Sequence, residues 1–362
     1  MSTISLSKAY YWLSLSGASS KRLNAALSIY SALEIYQRFK TDSQLQSAFS
    51  KYLQKMLDTH SLDFINDSLS QVKKKGISVL TLANELYPQD LKQTEVSPPV
   101  CLYYIGDLNC LQKPTPCIGV VGTRRPSEYG KQVATSFGRG LAAAGVTVVS
   151  GLATGIDTFA HTAATQSGKT AAVLGGGHNH IPPYSQRLVQ KIVSGGGIVL
   201  SEYQPDFVPT RYSFPERNRI ISGLSRGIVV IEAGKKSGAL ITANFALEQG
   251  REVYAVPGEI NDAKSEGCNL LIKEGGGAMV TEFSDVLTDL RIEQTAKKSP
   301  IQLDIFEDKI FKILSDGKAH FEEILEKSEF NFSQLSTTLL SLEMKSIVKR
   351  LSGNIYSLAM DI

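Results

Sequence analysis

Residues 117–157 read CIGVVGTRRPSEYGKQVATSFGRGLAAAGVTVVSGLATGID, and this stretch decides the fold. Two short apolar runs, CIGVVG (117–122) and VTVVSG (146–151), flank a segment of helical length, and each ends on a glycine. Apolar runs that are continuous rather than alternating mark strands covered on both faces, as in a parallel sheet sandwiched between helices. The pattern continues downstream in TAAVLG (170–175), GIVLSE (197–202), GIVVIEA (227–233) and EVYAVPG (252–258), most of them followed by a helix-like stretch. Strand and helix thus alternate from Cys117 to about residue 290, which predicts an α/β, Rossmann-like, doubly wound parallel sheet.

Outward from this centre the texture changes. Residues 1–75 read as short amphipathic helices: SKAYYWLSLSG (7–17), SSKRLNAALSIYSALEIYQRFK (19–40) and SQLQSAFSKYLQKMLDTH (43–60). Glycine and proline become frequent only from Gly76. A connector then runs to Pro116, with turns at Tyr87-Pro88 and Ser97-Pro98-Pro99 around a strand-like run, Val100 to Ile105. Beyond the α/β region, RIEQTAKKSPIQL (291–303) reads as a linker. Three helical segments follow, DIFEDKIFKILSD, HFEEILEKS and FSQLSTTLLSLEMKS, and then IVKRLSGNIYSL as a β-ribbon turning at Ser352-Gly353-Asn354. That order is the order of a winged helix. The expected division is 1–75 helical, 76–290 α/β, 291–303 linker and 304–362 winged helix.

Composition bounds the function classes. Of 362 residues, 42% are hydrophobic and 20% charged, which suits a globular chain with a sizeable core. No run approaches the roughly 18 apolar residues that would span a bilayer, and the N-terminus lacks a signal-peptide pattern, so a cytoplasmic location is expected. Cys101, Cys110, Cys117 and Cys268 form no CxxC pair and have no histidine at zinc-ligand spacing; incidental thiols are expected, and no metal. His178-Asn179-His180 has no acidic or cysteine partner nearby and reads as a polar loop. Net charge is +3, too small to announce a polyanion ligand. Its distribution is uneven: 10 Lys/Arg against 5 Asp/Glu in residues 1–75, 17 against 15 in 111–290, and 7 against 10 in 301–362. Any anion site in the middle must come from local clustering.

Open parallel sheets bind ligands beyond the carboxyl ends of their strands. After the first strand stands Gly122-Thr123-Arg124-Arg125-Pro126-Ser127, where a tight turn, a capped helix start and two arginines would suit a phosphate. No GxGxxG is present, so a nicotinamide cofactor loses its main support and no cofactor is expected. After the second strand comes Gly151-Leu-Ala-Thr-Gly155-Ile-Asp157, whose glycines permit close approach of a phosphate or, equally, of another part of the chain. The most distinctive stretch is Arg211-Tyr-Ser-Phe214-Pro-Glu-Arg217-Asn218-Arg219. Arginines in the first turns of a helix oppose its dipole, and an aromatic beside arginines can stack a base while they hold its phosphate. The plain alternative is a core Phe with Arg217 or Arg219 paired to Glu216 or Glu232. Lys235 and Lys236, after the GIVVIEA strand, could extend the basic rim or stay merely solvated.

In this order and spacing, GVVGTRRPS, GLATGID, SFPERNRIISGLS, SGALITA and EVYAVPG, preceded by YPQDLKQTEVSPPVCLYYIGD, resemble the DNA-processing protein A (DprA/Smf) family over about residues 77–290. The N-terminal helices resemble the family's sterile-alpha-motif-like domain, and residues 304–360 its winged helix. The resemblance implies an extended Rossmann domain that forms a homodimer and binds single-stranded DNA. It implies protection of incoming DNA and loading of the RecA recombinase during natural transformation. Carried over by motif, the DNA-binding set comprises Gly122, Arg124, Arg125, Gly151, Gly155, Arg211, Phe214, Arg217, Asn218, Arg219 and Lys235. Thr154 stands where some relatives carry lysine.

The competing class is an enzyme resembling the nucleotide-monophosphate phosphoribohydrolases, whose PGGxGTxxE turn supplies a catalytic glutamate. Here EAGKKSGALITANFALE lacks Gly-Thr-x-x-Glu, and no nucleophile–base set is evident, so no enzymatic activity is expected. The net-acidic winged helix, with no arginine in its third helix, is not expected to be the principal DNA-binding element.

Overall fold

The computed structural model describes residues 4–47, 54, 57, 61–94, 97–293, 303–344, 347–351 and 353–358. It divides into two compact units, residues 1–296 and 297–362. The break falls inside the linker read from the sequence. Much of the helical segment 43–60, most of 291–303, and Lys345 and Ser352 lie outside the described residues.

The first unit is built on nine strands: β1 (Ser78–Thr81), β2 (Cys101–Gly106), β3 (Cys117–Val121), β4 (Thr147–Ser150), β5 (Thr170–Val173), β6 (Ile198–Ser201), β7 (Gly227–Val230), β8 (Glu252–Ala255) and β9 (Ala278–Met279). They lie in the order β1-β2-β6-β5-β4-β3-β7-β8-β9. Pairings from β6 through β9 are parallel; β2 runs antiparallel to β6 and to β1. Every residue of β3, β4, β5, β6 and β7 is buried, because helices cover both faces. On one face Ile220, Ile221 and Leu224 of the helix Ser213–Leu224 pack with Ala239, Ala243 and Ala246 of the helix Gly238–Glu248. On the other, Ala134, Phe137 and Leu141 of Glu128–Ala143 meet Ile156, Ala160 and Ala164 of Ile156–Ser167. These two helices touch so closely that a Cβ on Gly138 would lie 2.4 Å from the Ala160 carbonyl oxygen.

The N-terminal helices Leu6–Leu15, Ser20–Leu27, Ala32–Arg38 and Leu62–Lys74 start on serines, and Ser31 with Glu34 forms a reciprocal capping box. Their core, with Trp12, Leu13, Ile35, Phe39 and Ile65, continues into Ile77, Val100, Cys101 and Tyr103. The boundary expected at residue 75 is therefore crossed by shared apolar packing, and helices and sheet form one unit.

The second unit has helices Ile305–Ser315, Phe321–Ser328 and Phe332–Met344 and strands β10 (Ala319–His320), β11 (Val348–Leu351) and β12 (Ile355–Leu358), in sheet order β10-β12-β11. Ile310, Leu314, Ile324, Leu335, Leu339 and Tyr356 fill its core, giving the winged-helix arrangement read from the sequence.

Candidate nucleic-acid interface

β3 pairs with β4 on one side and β7 on the other. The chain winds out from β3 to β6 and returns to β7 through the helix Ser213–Leu224, so a crevice opens where the winding reverses. It holds a cavity of about 720 Å³ lined among others by Gly122, Arg124, Arg211, Phe214, Arg217, Asn218, Ser237 and Thr242. A neighbouring hollow of about 140 Å³ is lined by the Gly175–Gly177 turn, His180, Tyr184, Thr154, Phe214 and Arg124. Arg124, Phe214 and Arg217 border both.

The four arginines read as equivalent in the sequence divide into two kinds. Arg124 and Arg211 are exposed at the mouth. The Arg124 guanidinium lies over the Phe214 ring at 5.5 Å, and that of Arg211 over the exposed Tyr212 ring at 4.7 Å. Arg217 is 4% exposed and works inward: it donates to the carbonyls of Gly151 (2.7 Å) and Val173, tying the ends of β4 and β5. Burial pulls its pKa down to about 10 against the support of the Asp157 carboxylate. Arg219 is 5% exposed and paired with the buried Glu202 beyond β6. Its partner is neither Glu216 nor Glu232. Each guanidinium thus has an internal acceptor, while Arg219 Nη1 has no hydrogen-bond partner among the described residues and Arg217 also borders both hollows.

The helix starts are also occupied from within. Ser127 caps Glu128–Ala143, accepting from the Gly130 N–H, and the buried Glu232 carboxylate accepts the Ser127 N–H at 2.9 Å. Asp157 in the next helix accepts the N–H groups of Gly151 (3.1 Å) and Ala153 (3.3 Å). This carboxylate brackets Leu152, whose φ of 56° is rare for a side-chain-bearing residue and needs such support. Burial raises the Asp157 pKa, with Arg217 and the two N–H groups opposing. The anion sites expected at these two turns are thus filled by the protein's own carboxylates.

The glycines follow the same logic. A Cβ on Gly122 would strike Ile156, one on Gly151 would lie 2.5 Å from the Arg217 guanidinium, and one on Gly155, at φ 92°, would lie 2.3 Å from Thr123 O. Each permits chain-on-chain packing. Asn218 lines the cavity while its amide bridges Arg217 and the Gly238 carbonyl. Arg125 is exposed but outside the cavity lining, and Lys235 faces Glu266 at 3.7 Å, also outside it. Phe214 is half-buried: one edge rests on Gly175, where a Cβ would come within 2.6 Å, and Arg124 covers its face. Tyr184 and Tyr212, both about two-thirds exposed, were not singled out by sequence; exposed tyrosines on loops at strand ends were the available signal.

The fold and crevice define an extended Rossmann-like domain whose strand-end cavity is bordered by the exposed arginines Arg124 and Arg211 and by Phe214. The profile of the family described as DNA recombination-mediator protein A matches residues 78–291, and that of the DprA winged helix domain matches 294–354. The chain is 37% identical to Protein Smf of Escherichia coli over 302 residues, covering 80% of this chain and 79% of that one. It is 42% identical over 223 residues to the DNA processing protein DprA of Bacillus subtilis, covering 61% and 74%. Among solved structures, DprA of Streptococcus pneumoniae superimposes with a TM-score of 0.66 at 34% identity, covering 80% of this chain and 99% of that one. DprA of Helicobacter pylori, described for its single-stranded DNA binding mode, gives 0.52 at 30% identity, covering 59% and 95%. The chain belongs to the DprA/Smf family.

Proposed function

We propose that the chain binds single-stranded DNA in the crevice at the ends of β3, β4 and β7. The observation that carries this reading is that Arg124 and Arg211 both line the crevice, two cations without a carboxylate partner among the described residues, each beside an aromatic ring, Phe214 and Tyr212. Guanidinium groups take phosphates bidentately and aromatic rings stack bases without regard to sequence. Because Arg124 sits on the Phe214 face, a stacking base must displace it, freeing its charge for a phosphate. The H. pylori relative, solved for its single-stranded DNA binding mode, supports the reading.

The wider role proposed with it is protection of incoming DNA and loading of RecA in transformation and recombination, by a cytoplasmic homodimer without enzymatic activity or cofactor. Asp157 holds N–H groups of its own loop after β4, and Glu232, after β7, holds the Ser127 N–H of the loop after β3, which disfavours a hydrolytic use of either. Among the described residues no helix is long and apolar enough to cross a membrane. The testing experiment titrates single- and double-stranded oligonucleotides across salt concentrations. Preference for the single strand with a falling log–log salt dependence is expected; equal affinity for both would overturn the reading. Release of base from nucleoside monophosphates, abolished by changing a cavity residue, would reverse the non-enzymatic assignment.

A further inference from the structure

A second concavity, of about 420 Å³, opens between the Ser14–Ser20 turn of the N-terminal helices and the segment that follows β6. Thr210 borders both it and the crevice, yet its chemistry is the opposite. Its carboxylate lining is Glu202, Asp206 and Glu216, with no lysine or arginine among the described residues. Asp206, at the outer edge, is met by Lys75 at 3.1 Å. The Glu202 side chain is 8% exposed, accepts from Ser20 Oγ at 2.9 Å and pairs with Arg219; its Oε1 has no hydrogen-bond partner among the described residues. The side chain of Glu216 accepts from the Tyr203 hydroxyl at 3.2 Å and has no cation partner among the described residues. Of the two neighbouring carboxylates only Glu202 is paired with a guanidinium, and burial together with the Glu216 charge pushes the Glu202 pKa up. Tyr203 and Phe207, which line the cavity, are stacked at 4.4 Å with 13° between their planes, and Tyr212 stands exposed on the rim.

A hollow with a surplus carboxylate beside flat rings repels phosphate and favours a planar, delocalised cation, which can stack and donate a fork of hydrogen bonds at once. We propose that this cavity is a docking site for an arginine side chain of a partner polypeptide, held by Glu216 and stacked against the Tyr203–Phe207 pair. A lysine, a point charge without a stacking face, fits less well. The size suits a side chain and its flanking backbone, since binding cavities begin at about 300 Å³.

The test is a titration of the full-length chain with N-acetyl-arginine amide and its lysine counterpart, followed by chemical-shift changes. Saturable binding of the arginine compound is expected, with the lysine compound weaker. Glu216→Gln removes the surplus charge and should weaken binding about tenfold or more. Ser19→Arg, at a lining position whose side chain makes no cap bond, should do the same without touching a carboxylate. Absence of saturable binding, or equal binding by both variants, overturns the proposal. So does deoxyguanosine monophosphate binding that these variants abolish while the arginine compound gives none.

Discussion

Arg124 and Arg211 stand in solvent at the mouth of the crevice, while Arg217 and Arg219, in the helix behind them, are buried. The first pair rests on aromatic rings; the second ends on carbonyls and a carboxylate. The difference shows how the domain separates two uses of positive charge. Buried guanidiniums cross-link strand ends that carry no side-chain signal of their own, which fixes the shape of the loops. Rim guanidiniums have only weak internal attachments and remain free to meet an outside anion. A cation cannot do both well, because one desolvated and hydrogen-bonded inside the fold is costly to withdraw.

The comparison breaks most visibly at Arg217. Replacing it with methionine leaves the buried Asp157 without its cation and the Gly151 and Val173 carbonyls without their donor. Removing one partner of a buried charge cluster costs about 3–5 kcal/mol, so denaturant unfolding should shift by that order. A variant of normal stability with selectively weakened DNA binding would move Arg217 to the rim class. The same interior predicts a pH response. Buried His161 is held neutral, its pKa pulled down to about 3 chiefly by burial and further by Arg217. A depressed histidine contributes stability that is complete above its unfolded value, about 6.5, and is lost as pH falls toward the folded one. Asp157 and Glu202, raised by burial, act with the opposite sign, stabilising the fold as pH falls. The histidine's share should lower the melting temperature as pH falls from 7 to 5, and His161→Gln should remove that share; an unchanged slope would discount the histidine.

The rim is tested next. Arg124→Glu or Arg211→Glu should weaken single-strand affinity at low salt and leave the melting temperature nearly unchanged. For each phosphate that is no longer neutralised, the log–log salt slope should shrink by about 0.7. Unaltered affinity in both would remove the crevice from consideration. Phe214→Ala should weaken binding about tenfold by removing a stacking platform, of order 1–3 kcal/mol per base, with little change in slope. If melting drops while affinity holds, packing against Gly175 is the residue's whole purpose.

These outcomes bear on what a sequence shows. The six central strands were legible because each is a continuous apolar run that must be covered on both faces. β1 and β9 were not: SVLT is half polar, and the Ala278–Met279 strand is two exposed residues at the sheet edge. Motif order located the crevice, but not which arginines stand exposed at it. Arg219's partner Glu202 lies on another strand end, and Arg217's partners are backbone carbonyls, which no side-chain pattern announces. The carboxylates at the Ser127 and Gly151 turns were hidden for a related reason: Glu232 reaches Ser127 only once the strands are assembled, and Asp157 reaches Gly151 only once its helix is seated.

The smallest effect is expected from the winged helix, the region that by shape alone invites a DNA reading. A duplex-reading winged helix places its third helix in the major groove, with cations and amides toward phosphates and bases. Here the exposed positions of Phe332–Met344 are Phe332, Ser333, Gln334, Thr337 and Leu340, with no lysine or arginine in the helix. Glu322, Glu323, Glu326 and Glu329 crowd on and just after the preceding helix, so the local field opposes phosphate. On the wing, Arg350 lies 5.9 Å from the Tyr356 ring and donates to Asn354, leaving Lys349 as the less engaged cation. Removing residues 297–362 leaves the first unit with its cores complete, since none of their residues comes from that segment. Single-strand affinity should then stay within a few-fold of the intact chain in the same titration. A hundredfold loss from a truncated protein that melts normally would relocate the main binding surface to the winged helix and demote the rim arginines to a supporting part.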